Sequence, residues 1–123
     1  MTLMSICLLQ REILRLESPV PSTIRVSSKH DVIPLAQPVK ASNGRDHLES
    51  VTVAPGQVLI IGMHNVNKNK AVYGDDAGEY RPERWLEEKK LEGNAGVYSQ
   101  MMSFLAGPRA CIGYKMALLE LKA

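Results

Sequence analysis

The chain has 123 residues and a net charge of +2, with hydrophobic residues at 45% and aromatics at 5%. That length is one domain's worth of sequence with a modest core, and the apolar share fits a globular chain rather than a disordered one. The small charge and the lack of a Lys/Arg run give no basis for a nucleic-acid partner, and two cysteines make no disulfide framework, so a reducing compartment is expected.

The opening Met1 to Leu9 is apolar but too short to span a bilayer, and it lacks the basic leader of a signal peptide. Residues 3 to 16 read as a helix, with Ile6, Leu9, Ile13 and Leu16 forming one apolar stripe at helical spacing. Pro19 and Pro21 end it, because proline cannot continue the hydrogen-bond ladder. Glu12 and Arg15 share a face of this helix and can pair. Taken alone, such a pair reads as a solvated surface contact.

Ile24-Arg25-Val26 and Asp31 to Leu35 read as short β runs. Residues 40 to 50 are polar and read as an exposed turn between strands. Val51 to Ile61 reads as a hairpin turning at Pro55-Gly56, a dipeptide suited to a tight reversal. Asn65 to Tyr73 reads as a short helix stopping at Gly74. Asp75 and Asp76 lack the order of a calcium loop and read as a turn or helix cap. Glu79 to Leu86 is, by itself, a charge cluster beside the single tryptophan, Trp85. Residues 87 to 100 read as a solvated helix end and a loop, and Ile112 to Ala123 as a final helix.

The chemistry concentrates on Cys111. Gly107, Pro108 and Gly113 shape the backbone around it, Arg109 lies two residues before it, and a helix-like run follows. Backbone N–H groups near a helix start favour negative charge and can hydrogen-bond a sulfur. A thiolate there can ligate a metal, attack an electrophile or cycle its redox state. Several rivals fail on spacing. Five residues separate Gly107 from Gly113, whereas a phosphate loop needs four followed by Lys-Ser/Thr. No C-x-x-C or G-x-S-x-G occurs, and His30, His47 and His64 are scattered and read as structural or surface residues.

The run Phe104 to Gly113, F-x-x-G-x-R-x-C-x-G, resembles the haem-binding loop of the cytochrome P-450 family. Two further signatures stand upstream in the family's order. Glu12-Ile13-Leu14-Arg15, followed by Ser18-Pro19-Val20-Pro21, resembles the K-helix E-x-x-R. Pro82-Glu83-Arg84-Trp85 resembles the segment that opens the family's meander, with Arg84 as the second arginine that joins Glu12 and Arg15 in a buried cluster. Gly113 to Glu120 resembles the family's final long helix, with Met116 where phenylalanine is common.

This resemblance implies a mainly α chain with a small β-sheet, a partial α+β P-450 fold close to eukaryotic, fungal-like members. It implies haem b bound through Cys111, with Phe104 shielding the sulfur, Gly107 and Gly113 leaving room for the macrocycle, and Arg109 pairing with a propionate. Arg25 resembles a second propionate-facing arginine, the other reading being a solvated strand residue. The implied activity is insertion of one oxygen atom into an organic substrate. Electrons would come from NADPH-cytochrome P-450 reductase, the substrate would be small and hydrophobic, and the setting would be secondary metabolism.

The resemblance runs from Arg11 onward and covers the family's C-terminal portion, so residues 1–123 are expected to be part of a single P-450 domain. The central helix whose side chains deliver protons to oxygen lies before the K helix, so no catalytic residue is expected here. The parent enzyme is expected at the endoplasmic reticulum facing the cytosol, and this chain alone in the cytoplasm. Two functional readings stay open: a monooxygenase fragment, or a non-catalytic truncated remnant with weak or no haem binding.

Overall fold

The computed structural model describes residues 3–87 and 96–122. The chain divides into a larger unit, residues 1–23 with 62–123, and a smaller unit, residues 24–61. The secondary structure is mixed, helices plus two small two-stranded sheets.

In the smaller unit, β2 (Asp31–Lys40) and β3 (His47–Val53) form an antiparallel hairpin, with Asp31 opposite Val53 and Lys40 opposite His47. The register shifts between Pro34 and Val39. Pro34 and Pro38 have no N–H to give the ladder, which is a sufficient reason for the irregularity. Asn43 closes the turn, its Oδ1 accepting from the backbone N–H groups of Arg45 (3.0 Å) and Asp46 (3.2 Å).

The hairpin expected over 51–61 does not form. The Pro55-Gly56 turn is present, with Gln57 N–H donating to the Ala54 carbonyl at 3.1 Å and Gly56 at φ 78°. Its flanking strands belong to different sheets: β3 pairs with β2, while β4 (Val58–Gly62) pairs with β1 (Ser22–Val26). Local turn chemistry fixes the reversal but not the partner, which is set by the longer-range pairing. The turn bonds to Ser27 instead, through Ser27 N–H to Gln57 (2.9 Å) and Gly56 N–H to Ser27 (2.8 Å).

The larger unit is organised on α1 (Leu3–Leu16). Of its apolar stripe, only Leu16 is buried. Ile13 is 52% exposed, whereas Gln10, Glu12, Leu14, Arg15 and Leu16 are buried. Polar partners elsewhere in the unit take up Glu12 and Arg15, so their face turns inward with Leu14. Leu14, Met101, Phe104 and Leu118 form the core cluster, with Trp85, Tyr98, Tyr114 and Ala117 packed against it. Gln10 Nε2 donates to the Leu118 carbonyl at 3.0 Å, which ties α1 to α4 (Tyr114–Glu120).

The helix expected over 65–73 is two short ones, α2 (Met63–Asn67) and α3 (Lys70–Tyr73). Asn69 caps α3 by accepting from Ala71 N–H at 2.9 Å, a role that draws asparagine out of a continuous helix. Gly74 ends it at φ 90°, a conformation that favours glycine. Pro82–Leu86 forms a 3-10 turn with Pro82 at its start. The final helix begins at Tyr114 rather than Ile112, with Gly113 as its uncapped N-terminal boundary. Of the loop expected over 87–100, residues 88–95 lie outside the described residues.

Candidate functional site

Glu12 receives five hydrogen bonds. Its Oε1 accepts from Arg15 Nη2 (2.7 Å), Arg84 Nε (2.9 Å) and the backbone N–H of Arg81 (3.0 Å). Its Oε2 accepts from Arg15 Nε (3.0 Å) and Trp85 Nε1 (3.0 Å). Helical spacing places Glu12 beside Arg15, and the Pro82-started turn delivers Arg84 and Trp85 together to the same carboxylate. Two of these partners, Trp85 and the Arg81 backbone, were not anticipated from sequence. Only the adjacency of Trp85 to Arg84 hinted at them.

The arginines are satisfied in full. Arg15 Nη1 donates to the carbonyls of Asn67 (2.9 Å) and Ala77 (2.6 Å), its Nη2 donates to that of Glu79 (3.1 Å), and its guanidinium lies 4.9 Å from the centre of the Tyr73 ring. Arg84 donates to the carbonyls of Tyr73 (3.2 Å) and Asp76 (3.0 Å), and its Nη1 lies 3.4 Å from Asp76 Oδ1. Two guanidinium groups thus face two carboxylates. Asp76, read from sequence as a turn residue, also pairs with Arg81 at 2.6 Å.

Burial pushes the Glu12 carboxyl upward, but the hydrogen bonds from Arg15, Arg81 and Arg84 and the charge of Arg15 outweigh it, so Glu12 lies below its ordinary value. An ion cluster of this kind adds little net stability over an apolar replacement, because desolvation opposes attraction. Breaking it is costly, since a buried charge is left alone.

The cysteine loop hangs from the core. The Phe104 ring lies in the core cluster, edge-on to Tyr98 at 6.1 Å and tilted against Tyr114 at 6.1 Å. Its carbonyl accepts from Cys111 N–H at 2.9 Å. The contact from Phe104 to Cys111 is therefore a backbone one, and Cys111 itself is exposed. A 3-10 turn, Gly107–Arg109, lies between them, closed by Ala110 N–H to the Gly107 carbonyl at 3.0 Å. Gly107 has φ 68°, and a Cβ at Gly107 or Gly113 would meet no atom within 4 Å. Arg109 is exposed on the same loop.

The residues singled out from sequence thus fall into three groups. Arg15 and Arg84 both pair with Glu12. Phe104, Gly107, Arg109, Cys111 and Gly113 share one loop. Arg25 lies on β1 within the smaller unit and donates to the Ile24 carbonyl at 2.8 Å. A cleft of about 710 Å³, lined by Arg11, Lys70, Tyr73, Arg81, Trp85 and Tyr98 among others, does not include Cys111. Among the described residues, no group of three or more His, Cys, Asp or Glu side chains is placed to hold a metal ion, and no helix is long and apolar enough to cross a membrane.

A buried Glu-x-x-Arg pair closed by an arginine from a later turn, in a chain that also carries a glycine-flanked cysteine loop, points to the cytochrome P-450 family. The family model described as Cytochrome P-450 matches residues 1–123, and the chain belongs to that family. It is 45% identical over 114 residues to cytochrome P-450 monooxygenase 205 of Postia placenta. It is 40% identical over 119 residues to ganoderic acid synthetase CYP5150L8 of Ganoderma lucidum. These alignments cover 92% and 91% of this chain but 21% of each relative, so the chain spans about a fifth of the length of the curated relatives it matches.

Proposed function

We propose that this chain carries the cysteine-bearing, C-terminal portion of a haem-thiolate monooxygenase domain, with Cys111 as the iron ligand of haem b. The observation that carries the reading is an exposed thiol on a loop pinned to a buried core, with open space beside the glycines that flank it. Family membership supports the haem cofactor and the oxidoreductase class.

The residues present fit the group. Gly107 and Gly113 leave the approach to the loop free of side chains. Arg109 offers a planar guanidinium to a propionate carboxylate, and Arg25 is a second candidate for that task. Cys111 supplies the sulfur, and the Phe104 carbonyl fixes its backbone. The cluster of Glu12, Arg15 and Arg84 holds α1 and the Pro82–Leu86 turn together beneath the loop's support. When bound, the haem supplies oxygen activation, which in cytochromes P-450 the thiolate ligand promotes by pushing electron density toward the iron.

For the whole protein we propose electron supply from NADPH-cytochrome P-450 reductase, a small hydrophobic organic substrate, and residence at the endoplasmic reticulum membrane. The Ganoderma lucidum relative is a ganoderic acid synthetase, which supports a role in fungal secondary metabolism.

The second reading is a non-catalytic remnant with weak or no haem binding. Titration with hemin separates the two. The reading expects saturable uptake near one haem per chain and, after dithionite and carbon monoxide, a Soret band at the position typical of thiolate ligation. No uptake, or a band typical of histidine ligation, supports the remnant.

A further inference from the structure

Asn67 is fully buried and belongs to no motif, yet it joins the two parts of the candidate site. Its backbone carbonyl accepts from Arg15 Nη1 at 2.9 Å. Its side chain reaches a segment 35 residues on. There Oδ1 accepts from Met102 N–H (2.7 Å) and Nδ2 donates to Ser103 Oγ (2.9 Å). Ser103 Oγ in turn donates to the Leu14 carbonyl at 2.6 Å, which returns the network to α1. The next residue is Phe104, whose carbonyl takes the Cys111 N–H.

The backbone that follows needs holding. Leu105 stands at φ 61°, a region that disfavours a residue with a Cβ. Such a conformation persists only where its surroundings over-determine it. Leu105 N–H donates to the Met102 carbonyl at 2.8 Å, so the residue that Asn67 grips is also the anchor of the strained step.

We infer that Asn67 is a positioning residue: it sets the backbone of Met102–Phe104 from which the Cys111 loop hangs, and so couples the Glu12–Arg15–Arg84 cluster to the sulfur. A buried amide with both ends bonded is rigid, and deleting it orphans the Met102 N–H and unties Ser103. Only the consequence at haem rests on the proposed role of Cys111. The coupling itself is a property of the chain without cofactor.

The test is amide hydrogen exchange of the full chain, read at Cys111. In the wild-type chain this amide is expected to be protected. Asn67→Ala is expected to speed its exchange by about tenfold or more, the size of one lost buried hydrogen bond. Amides of the β2–β3 hairpin serve as controls and should keep their rates. If Asn67→Ala does not fold, Ser103→Ala decides instead, with a rise of about threefold expected for the weaker link. An unprotected Cys111 amide in the wild-type chain, or unchanged exchange in the deciding variant, overturns the inference. On hemin-loaded protein, Asn67→Ala is expected to shift the haem midpoint potential relative to wild type. If hemin spectra prove independent of Cys111 while the exchange result holds, the haem reading fails and the coupling stands. If haem binds through Cys111 and exchange does not respond, the reverse is true.

Discussion

Arg84 Nε lies 2.9 Å from Glu12 Oε1, across 72 residues of chain, with both side chains nearly excluded from solvent. This contact fastens the 3-10 turn Pro82–Leu86 to α1. Glu12 collects donors from four residues, Arg15, Arg81, Arg84 and Trp85, so it acts as the hub of the larger unit rather than as half of a helix-surface pair.

Arg84→Ala therefore leaves the hub with one guanidinium fewer and opens a void beside Tyr73 and Asp76. The expected loss is about 3–5 kcal/mol, the range for breaking a buried ion pair. Urea unfolding measures it. Lys29→Ala, on the exposed smaller unit, is expected to stay within about 0.5 kcal/mol.

Glu12 also sets an acid limit. Its folded-state value is depressed, so the unfolded chain binds the proton first as pH falls. The stability it contributes is complete above the unfolded value of about 4.5 and is lost as pH drops below that, through the lower folded value. Thermal melts between pH 6 and about pH 3 should show this fall. In Glu12→Gln the chain should start less stable and lose less over the same window.

Trp85 makes a hydrogen bond that its ring alone would not require. Trp85→Phe keeps an aromatic ring near Tyr73 but removes the Nε1 donor to Glu12 Oε2. A loss of about 1–3 kcal/mol is expected, as for a partly buried charge-assisted bond. A double-mutant cycle with Glu12→Gln should be non-additive, because both changes remove the same contact.

Gly96 approaches the Met101 carbonyl so closely that a Cβ would clash with its oxygen. Backbone cannot yield as a side chain does. Gly96→Ala is expected to displace the turn in which Tyr98 bridges Met101, with a loss of about 1–3 kcal/mol seen in thermal unfolding.

Sequence reading reached the parts of the fold that are local or carried by motif. α1 ends ahead of Pro19 and Pro21 as expected, because proline acts on its own neighbours. Arg15 and Arg84 both meet Glu12, on motifs that stand at fixed places in the sequence. What escaped was decided by partners distant in sequence. The Pro55-Gly56 turn reads the same whether its strands pair with each other or with β1 and β2. The stripe of Ile6, Leu9, Ile13 and Leu16 marked α1 as a helix, but the buried ion cluster turns another face inward and leaves Ile13 exposed. Asn67 sits in a polar stretch, Asn65 to Lys70, where nothing marks one asparagine as buried. Its role follows only from contacts with residues 35 and 36 positions away.

The most direct test compares the wild-type chain with Cys111→Ser, both loaded with hemin, reduced with dithionite and exposed to carbon monoxide. The account predicts a thiolate-type Soret band in the first and none in the second, at equal far-UV circular dichroism. Identical optical spectra from the two chains would contradict it.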